Sequence, residues 1–370
     1  MANELQFKNG KCKIMQITDV QDVAEVHSET IRFIELALDA EQPDLVVFTG
    51  DQVKGYAPKV KGRNGPETVR KTIRQIVAPL QKRGIPFTFA FGNHDIQAVA
   101  AEKQLEWYRE SPLCLVEDTP GLSGVGNCFV PIKGADGNPK LGVYMLDSHG
   151  NAGVGGYQPL KKDQVDWYRA TREELKEKTG GYVPSLLFMH IPVEEIYRLL
   201  RPAQKGEKGI RGFRGRKGTK YVLDTGKVYP DARLKEALCV ADENAGLFEA
   251  AKEKGEMLGM FFGHDHKNSF AGRVEGIDLG YCPGCGFAVY GDGVNRGVRV
   301  FEIDEADPHA YTTRLVTYKD LTGKHKPGFG TWLADQAPTS ADDAAAKILP
   351  LLGILAVVAA GIVLLVKSCC

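Results

Sequence analysis

At 370 residues the chain is long enough to bury a substantial core, and Lys plus Arg and Asp plus Glu each total 47, so no net field draws it toward nucleic acid and no nucleic-acid partner is expected. Its eight cysteines are scattered apart from Cys282-Pro-Gly-Cys285 and Cys369-Cys370, which argues against a disulfide framework and for a reducing compartment. The opening residues carry no cationic start followed by an apolar core, so they do not read as a secretory signal.

The pattern predicts a first strand over 13–17 and a helix over 29–41, with Ser28 as its cap and Ile31, Ile34 and Leu38 on one face. A strand at 45–49 precedes a helix near 67–83, and a strand at 87–91 precedes a helix near 96–111. A strand at 141–146 leads to a helix around 161–178 and a strand at 185–189. Then come a helix at 245–254, a strand at 257–262 and closing strands at 277–281, 298–303 and 311–316, with Gly-rich turns. Strand and helix alternate first and extra strands come late. That order suggests two sheets packed together with helices outside, in one catalytic domain over 1–326.

Composition shifts to Ala, Asp, Pro, Thr and Ser at 327–346, which reads as a flexible linker. Residues 348–366 then run for 19 positions without a charge between Lys347 and Lys367, long enough to cross a bilayer as a helix. A C-terminal transmembrane anchor over 347–367 is therefore expected, with membrane as a partner and the catalytic domain in the cytoplasm. Lys on both flanks means that the positive-inside rule favours neither orientation.

Five short signatures stand at the ends of apolar, strand-like runs: T-D-V-Q at 18–21, G-D-Q at 50–52, G-N-H-D at 92–95, M-H-I-P at 189–192 and G-H-D-H at 263–266. Runs apolar on both faces are typical of buried parallel strands, and loops leaving such strands are where ligands gather. Asp, Asn and His delivered from five strands would converge on one point and suit divalent metals. Two cations held about 3.5–4 Å apart need a bridging anionic oxygen, and Asp51 is the candidate. One cation would take Asp19, Gln21 and His266, and the other Asn93, His190 and His264. A hydroxide held between them would attack phosphorus in line, and His94 would protonate the leaving oxygen.

In this order the signatures resemble those of the calcineurin-like metallophosphoesterases, over about residues 13–266, and the opening 8–22 is similar to bacterial members. The resemblance implies a four-layer αββα sandwich of two mixed sheets flanked by helices. It carries the family pattern D-x-H, G-D, G-N-H-[ED], lone His and G-H-x-H onto Asp19, Asp51, Asn93, His94, His190, His264 and His266. One position departs: Gln21 stands where the family usually has His, and Asp22 follows it as an alternative ligand. A neutral amide is a poorer ligand than imidazole for Zn or Fe and sits more easily with Mn or Mg.

The expected function is thus a dinuclear phosphohydrolase using two divalent ions (Mn, Fe or Zn) on a phosphorylated substrate. Phosphomonoester hydrolysis is the first reading, and phosphodiesterase or pyrophosphatase activity the rival in the same site. A metal-poor, inactive membrane-tethered scaffold is the alternative from another class. Three further features carry weaker signals. Asp147 and His149 follow a strand end and read as pocket lining or as a turn. The Lys- and Arg-rich stretch at 203–220 reads as a clamp for phosphate or anionic lipid, or as a solvated loop. Cys282-Pro-Gly-Cys285 reads as a tight turn beside the G-H-D-H strand.

Overall fold

The computed structural model describes residues 4–153 and 155–338. Two mixed sheets carry the fold. The five-stranded sheet runs in the order Asp307–Thr317, Gly297–Asp304, Lys11–Ile17, Leu45–Thr49, Phe87–Ala90. Its last three strands are parallel, and the first two join as an antiparallel edge. The seven-stranded sheet runs Leu5–Gln6, Cys128–Lys133, Pro139–Met145, Ser185–Phe188, Met257–Phe262, Ile277–Tyr281, Ala271–Val274. Its middle four strands are parallel.

Alternation along these strands sorts side chains into two cores, because successive residues of a strand point to opposite faces. Leu186, Phe188 and Phe261 face the five-stranded sheet and join Val46, Phe48 and Phe301 in the larger core. Phe301 is edge-on to Phe188 at 5.4 Å and to Phe261 at 4.5 Å, which locks sheet to sheet. Leu187, Met260 and Phe262 face the other way, into a second core with Tyr168 of the helix Lys162–Thr179 and Phe248 of the helix Leu247–Lys252. Phe33 and Leu38 of the helix Ser28–Glu41, and Ile73 and Leu80 of the helix Gly65–Arg83, close the larger core from outside. The layers are helix, sheet, sheet, helix, as the alternation suggested.

Several boundaries differ from expectation, each for a local reason. The first helix is capped by His27, whose Nδ1 accepts the Glu29 N–H at 3.2 Å, and Ser28 is its first residue. The helix expected over 96–111 breaks into a 3₁₀ turn, Asp95–Gln97, and a helix, Ala101–Tyr108. There the Gln104 side chain donates to the Asp95 and Val99 carbonyls and ties the two pieces together. The strand Cys128–Lys133 was not foreseen, nor was the small sheet of Leu200–Pro202, Lys220–Leu223 and Ile210–Arg211.

The stretch expected to begin a flexible linker at 327 instead forms a helix over Phe329–Asp335. Asp335 Oδ1 accepts from the buried Arg296 guanidinium at 2.6 Å and from the Gly291 N–H at 2.9 Å. The apolar run at 348–366, and with it the expected anchor, lies outside the described residues. Among the described residues no helix is long and apolar enough to cross a membrane.

Candidate metal centre

All five signatures leave the carboxyl ends of parallel strands, three in one sheet and two in the other, and the two sets meet over the sheet-to-sheet seam. The glycines make the approach close enough. A Cβ on Gly50 would collide with the His190 ring, one on Gly92 with Asp51 Oδ1, and one on Gly263 with Thr18 Oγ1. Four non-glycine residues, Asp19, Gln21, Asp51 and His264, hold positive φ values of 51°, 41°, 53° and 76°. Such backbone strain gathers at functional sites because the surroundings over-determine it.

Asp51 is buried at the middle. Its Oδ2 lies 3.3 Å from His190 Nε2 and accepts from Gln21 Nε2 at 3.1 Å, while Oδ1 accepts the His94 N–H at 2.8 Å. On one side, His190 Nε2 lies 3.2 Å from Asn93 Oδ1 and 3.1 Å from His264 Nδ1. On the other, Asp19 Oδ1 lies 3.1 Å from His266 Nε2, and Asp19 Oδ2 accepts the His264 N–H at 3.0 Å. Two groups of ligand atoms result, Asp51–His190–His264 and Asp19–Asp51–His266, each with its atoms within 4.8 Å of one another and both containing Asp51.

The tautomers follow from the partners. His190 Nδ1 faces the Thr49 carbonyl at 2.8 Å and His266 Nδ1 faces the Tyr290 carbonyl at 2.9 Å. A carbonyl only accepts, so both Nδ1 atoms carry protons and both Nε2 atoms are turned inward, the usual arrangement of a metal-ligating histidine.

The electrostatics are those of a cation site. Burial alone would raise the Asp51 carboxyl, but the charges of His190 and His94 outweigh it and hold the group below the ordinary carboxylate range. Burial likewise opposes a charge on His190, yet Asp51 lifts its pKa to about 10. A proton on His190 thus does for Asp51 what a cation would do. Burial and the neighbouring His190 push His264 well below its ordinary value, so it stays neutral. Buried polar atoms with no hydrogen-bond partner include Gln21 Oε1 and His264 Nε2, both in this cluster. Buried polar atoms left without a partner are rare and need an explanation, which bound cations would supply. The donor set of carboxylates, imidazoles and amides therefore fits divalent metals.

His94 is the least enclosed of the set, with 28% of its side chain exposed, its Nε2 4.0 Å from Asp51 Oδ2 and its ring edge-on to Tyr56 at 4.7 Å. Asp22 does not join the cluster, because its carboxylate accepts the Val23 and His27 N–H groups at 2.7 and 2.8 Å.

Residues 12–268 match the model of the calcineurin-like phosphoesterase family. The chain belongs to that family. It is therefore a metallophosphoesterase by class. Its relatives include "Probable inactive purple acid phosphatase 14" of Arabidopsis thaliana, 28% identical over 340 residues, or 81% of this chain and 77% of that one. The phosphatase DCR2 of Saccharomyces cerevisiae is 29% identical over 86% of this chain, and the chain spans about half of DCR2, 55%. Among solved structures, a dimetal phosphatase from Danio rerio aligns with a TM-score of 0.48 and 14% identity, over 83% of this chain and 99% of that one.

Within this phosphoesterase, the residues that hold the centre in shape went largely unread in the sequence. Asp95, last of G-N-H-D, accepts the Asp51 and Gly92 N–H groups at 2.8 Å each and the Val53 N–H at 2.7 Å, so one carboxyl clips the G-D turn to the G-N-H-D turn. Burial, with the Asp51 charge added, raises its pKa to about 8. Tyr290 stacks on His266 at 4.2 Å, and Tyr157 stands edge-on to His264 at 4.5 Å.

Cys282-Pro-Gly-Cys285 lies beside the G-H-D-H strand as expected, but as an irregular segment rather than a tight turn, with Cys282 N–H donating to the Phe262 carbonyl at 2.9 Å and Gly284 N–H to the His266 carbonyl at 3.0 Å. Cys285 N–H donates to the Thr18 carbonyl at 3.0 Å and Gly286 N–H to the Asp19 carbonyl at 3.1 Å, and a Cβ on Gly286 would collide with the Val20 carbonyl. Asp147 serves a turn, accepting from Val125 and His149 N–H, and His149 pairs with Gln164 at 2.8 Å. In the basic stretch, Arg214 meets Asp242 at 3.3 Å and Arg216 pairs with Glu194, so these charges are spent on carboxylates of the protein itself. Phe213 of that stretch reaches Tyr157, ring centres 5.7 Å apart, and so borders the centre through an aromatic contact.

Proposed function

We propose that the protein is a dinuclear metal-dependent phosphohydrolase that cleaves phosphomonoesters. The observation that carries this reading is the pair of ligand groups sharing Asp51. Asp19, Gln21 and His266 would hold one ion and Asn93, His190 and His264 the other, with the Asp51 carboxylate common to both. When bound, two such ions supply Lewis acidity toward phosphoryl oxygen and a nucleophile at neutral pH. The chain itself fixes the ligand orientations through Thr49, Tyr290 and Asp95. His94, beside the centre and partly exposed, gives a proton to the departing alkoxide. Manganese suits the half containing the Gln21 amide, with iron or zinc favoured by the imidazole-rich half.

The alternative within the site is phosphodiester or pyrophosphate cleavage. The alternative outside it, an inactive scaffold, is favoured by Gln21 and by the word "inactive" in the printed names of relatives such as "Probable inactive purple acid phosphatase 29" of Arabidopsis thaliana, 27% identical over 87% of this chain. We further propose that residues 348–366 tether the protein to a membrane. Their 19 uncharged positions support that reading. A cytoplasmic catalytic domain is supported by Cys12, Cys114, Cys128, Cys239, Cys282 and Cys285, all unpaired.

One experiment tests the catalytic reading. The full chain in detergent, loaded with Mn, Fe or Zn, is assayed on aryl phosphate monoesters, aryl diesters and pyrophosphate, with metal content measured in parallel. Hydrolysis of the monoester above an Asp51→Asn control is expected. Stoichiometric metal without any hydrolysis, or no metal uptake at all, overturns it in favour of the scaffold.

A further inference from the structure

The helix Phe329–Asp335 presents two unlike faces. Thr331 is buried, and Asp335 is pinned to Arg296, Gly291 and, through its carbonyl, Lys267 Nζ at 3.3 Å. Arg296 is itself fully buried and donates to the Gly286 and Val289 carbonyls at 2.7 Å each, so the helix is fastened to the body of the domain. The other face holds Phe329, Trp332 and Leu333, which are 77%, 49% and 59% exposed. Spacings of three and four put them on one side of the helix, and the Phe329 and Trp332 rings stack at 5.8 Å. Single exposed apolar residues are ordinary, but three large ones together on a seven-residue helix mark a contact surface.

We propose that Phe329, Trp332 and Leu333 form a docking surface for a phospholipid bilayer, seating the catalytic domain on the membrane by this edge. Three observations select lipid as the occupant. Trp and Phe beside exposed basic groups is the composition of an interfacial helix, and His325 and Lys326 are exposed just before this one. The patch is too small for a stable protein partner: three such side chains supply at most about 150–250 Å² each, against roughly 800 Å² per partner in a stable complex. The 19-residue uncharged run begins at Ile348, fifteen positions beyond Leu333, within about 50 Å at full extension. The surface goes beyond the tether proposed above and stands without it, since an interfacial helix binds lipid by its own apolar face.

The test uses the full chain reconstituted into phosphatidylcholine–phosphatidylserine vesicles with brominated acyl chains, which quench tryptophan only within the bilayer. The chain has three tryptophans, so the Trp332 component is taken as the difference between the wild type and Trp332→Phe, with matching thermal melts required of the two. A blue-shifted Trp332 emission that is lost to bromolipid and shielded from aqueous iodide is expected. Phe329→Ser with Leu333→Ser should reverse both effects while the melt stays in place. A Trp332 component untouched by bromolipid overturns the proposal. Open to iodide, it then faces water, and shielded from iodide it is covered by a second copy or by other residues of the chain. Carbonate extraction of the same vesicles reports separately on the tether: retention without quenching sinks the docking surface alone, and extraction of a protein whose Trp332 was quenched sinks the tether alone.

Discussion

The two halves of the metal centre share Asp51 but are built differently. The half formed by Asn93, His190 and His264 is drawn together already, with His190 Nε2 within 3.3 Å of Asn93, Asp51 and His264 atoms. The half formed by Asp19, Gln21 and His266 has one close pair, Asp19–His266, and an amide whose nitrogen is given to Asp51 while its oxygen has no partner. An imidazole in place of Gln21 would offer a stronger neutral donor, and the amide leaves that half with a single histidine. Under the proposed assignment the two ions would be held unevenly, one mainly by nitrogen ligands and the other mainly by oxygen.

Removing the shared group should break both halves at once. Asp51→Asn is expected to abolish hydrolysis and metal retention together, read by elemental analysis after gel filtration. Retention of one equivalent would show that the halves do not depend on a common bridge.

His94→Asn should lower turnover by about 10²- to 10⁴-fold with both metals retained. The loss should be larger for alkyl esters, whose poor leaving group needs the proton, than for nitrophenyl esters. Equal losses, or loss of metal, would move His94 from proton donor to the ligand shell.

The clip between the halves is tested by Asp95→Ala, which strands three buried N–H groups. At about 1–3 kcal/mol for each buried donor left unsatisfied, several kcal/mol of stability should go, seen as a lowered midpoint in urea. An unchanged midpoint would mean that water fills the gap.

Gln21→His sharpens the contrast more gently. It should tighten the weaker half and shift its preference toward Zn or Fe, by the order of 10-fold if the imidazole reaches the ion, as competition titrations would show.

A pH effect acts on both halves, since burial opposes a charge on His266 but Asp19 raises its pKa in the same way that Asp51 raises that of His190. His190 is raised to about 10 by Asp51 in the metal-free site, so a cation must displace its proton. Metal affinity at that half should therefore rise with pH up to about 10 and fall below it, with protons released on binding. Calorimetry in buffers of different ionisation enthalpy counts those protons, and uptake without release would contradict the Asp51–His190 pairing.

Most of the clustered candidate residues were legible because G-N-H-D and G-H-D-H sit at the ends of apolar runs, where a parallel strand must deliver its next residues to the sheet's edge. What those motifs hid was the work of their other members. Asp95 has no role of its own in the sequence pattern, and only the fold shows its carboxyl closing on the N–H groups of residues 51, 53 and 92. Likewise Tyr157, in the short strand Gly156–Tyr157, and Tyr290, in a loop, belong to no motif, and their contact with His264 and His266 depends on chain distant by 24 residues or more. Asp22 looked equivalent to Gln21 until the turn at 22–27 claimed its oxygens.

By itself, then, the sequence determined the strand-and-helix alternation, the family and the residues able to bind metal, since periodicity, apolar runs and short motifs are local properties. Tertiary structure alone decided which nitrogen of each histidine faces inward, because that depends on the Thr49 and Tyr290 carbonyls. It also decided that the supposed linker begins as a docked helix: the composition of 327–338 is that of a loop, and the force that orders it is a buried guanidinium, Arg296, which would be left without its carboxylate if Asp335 moved away.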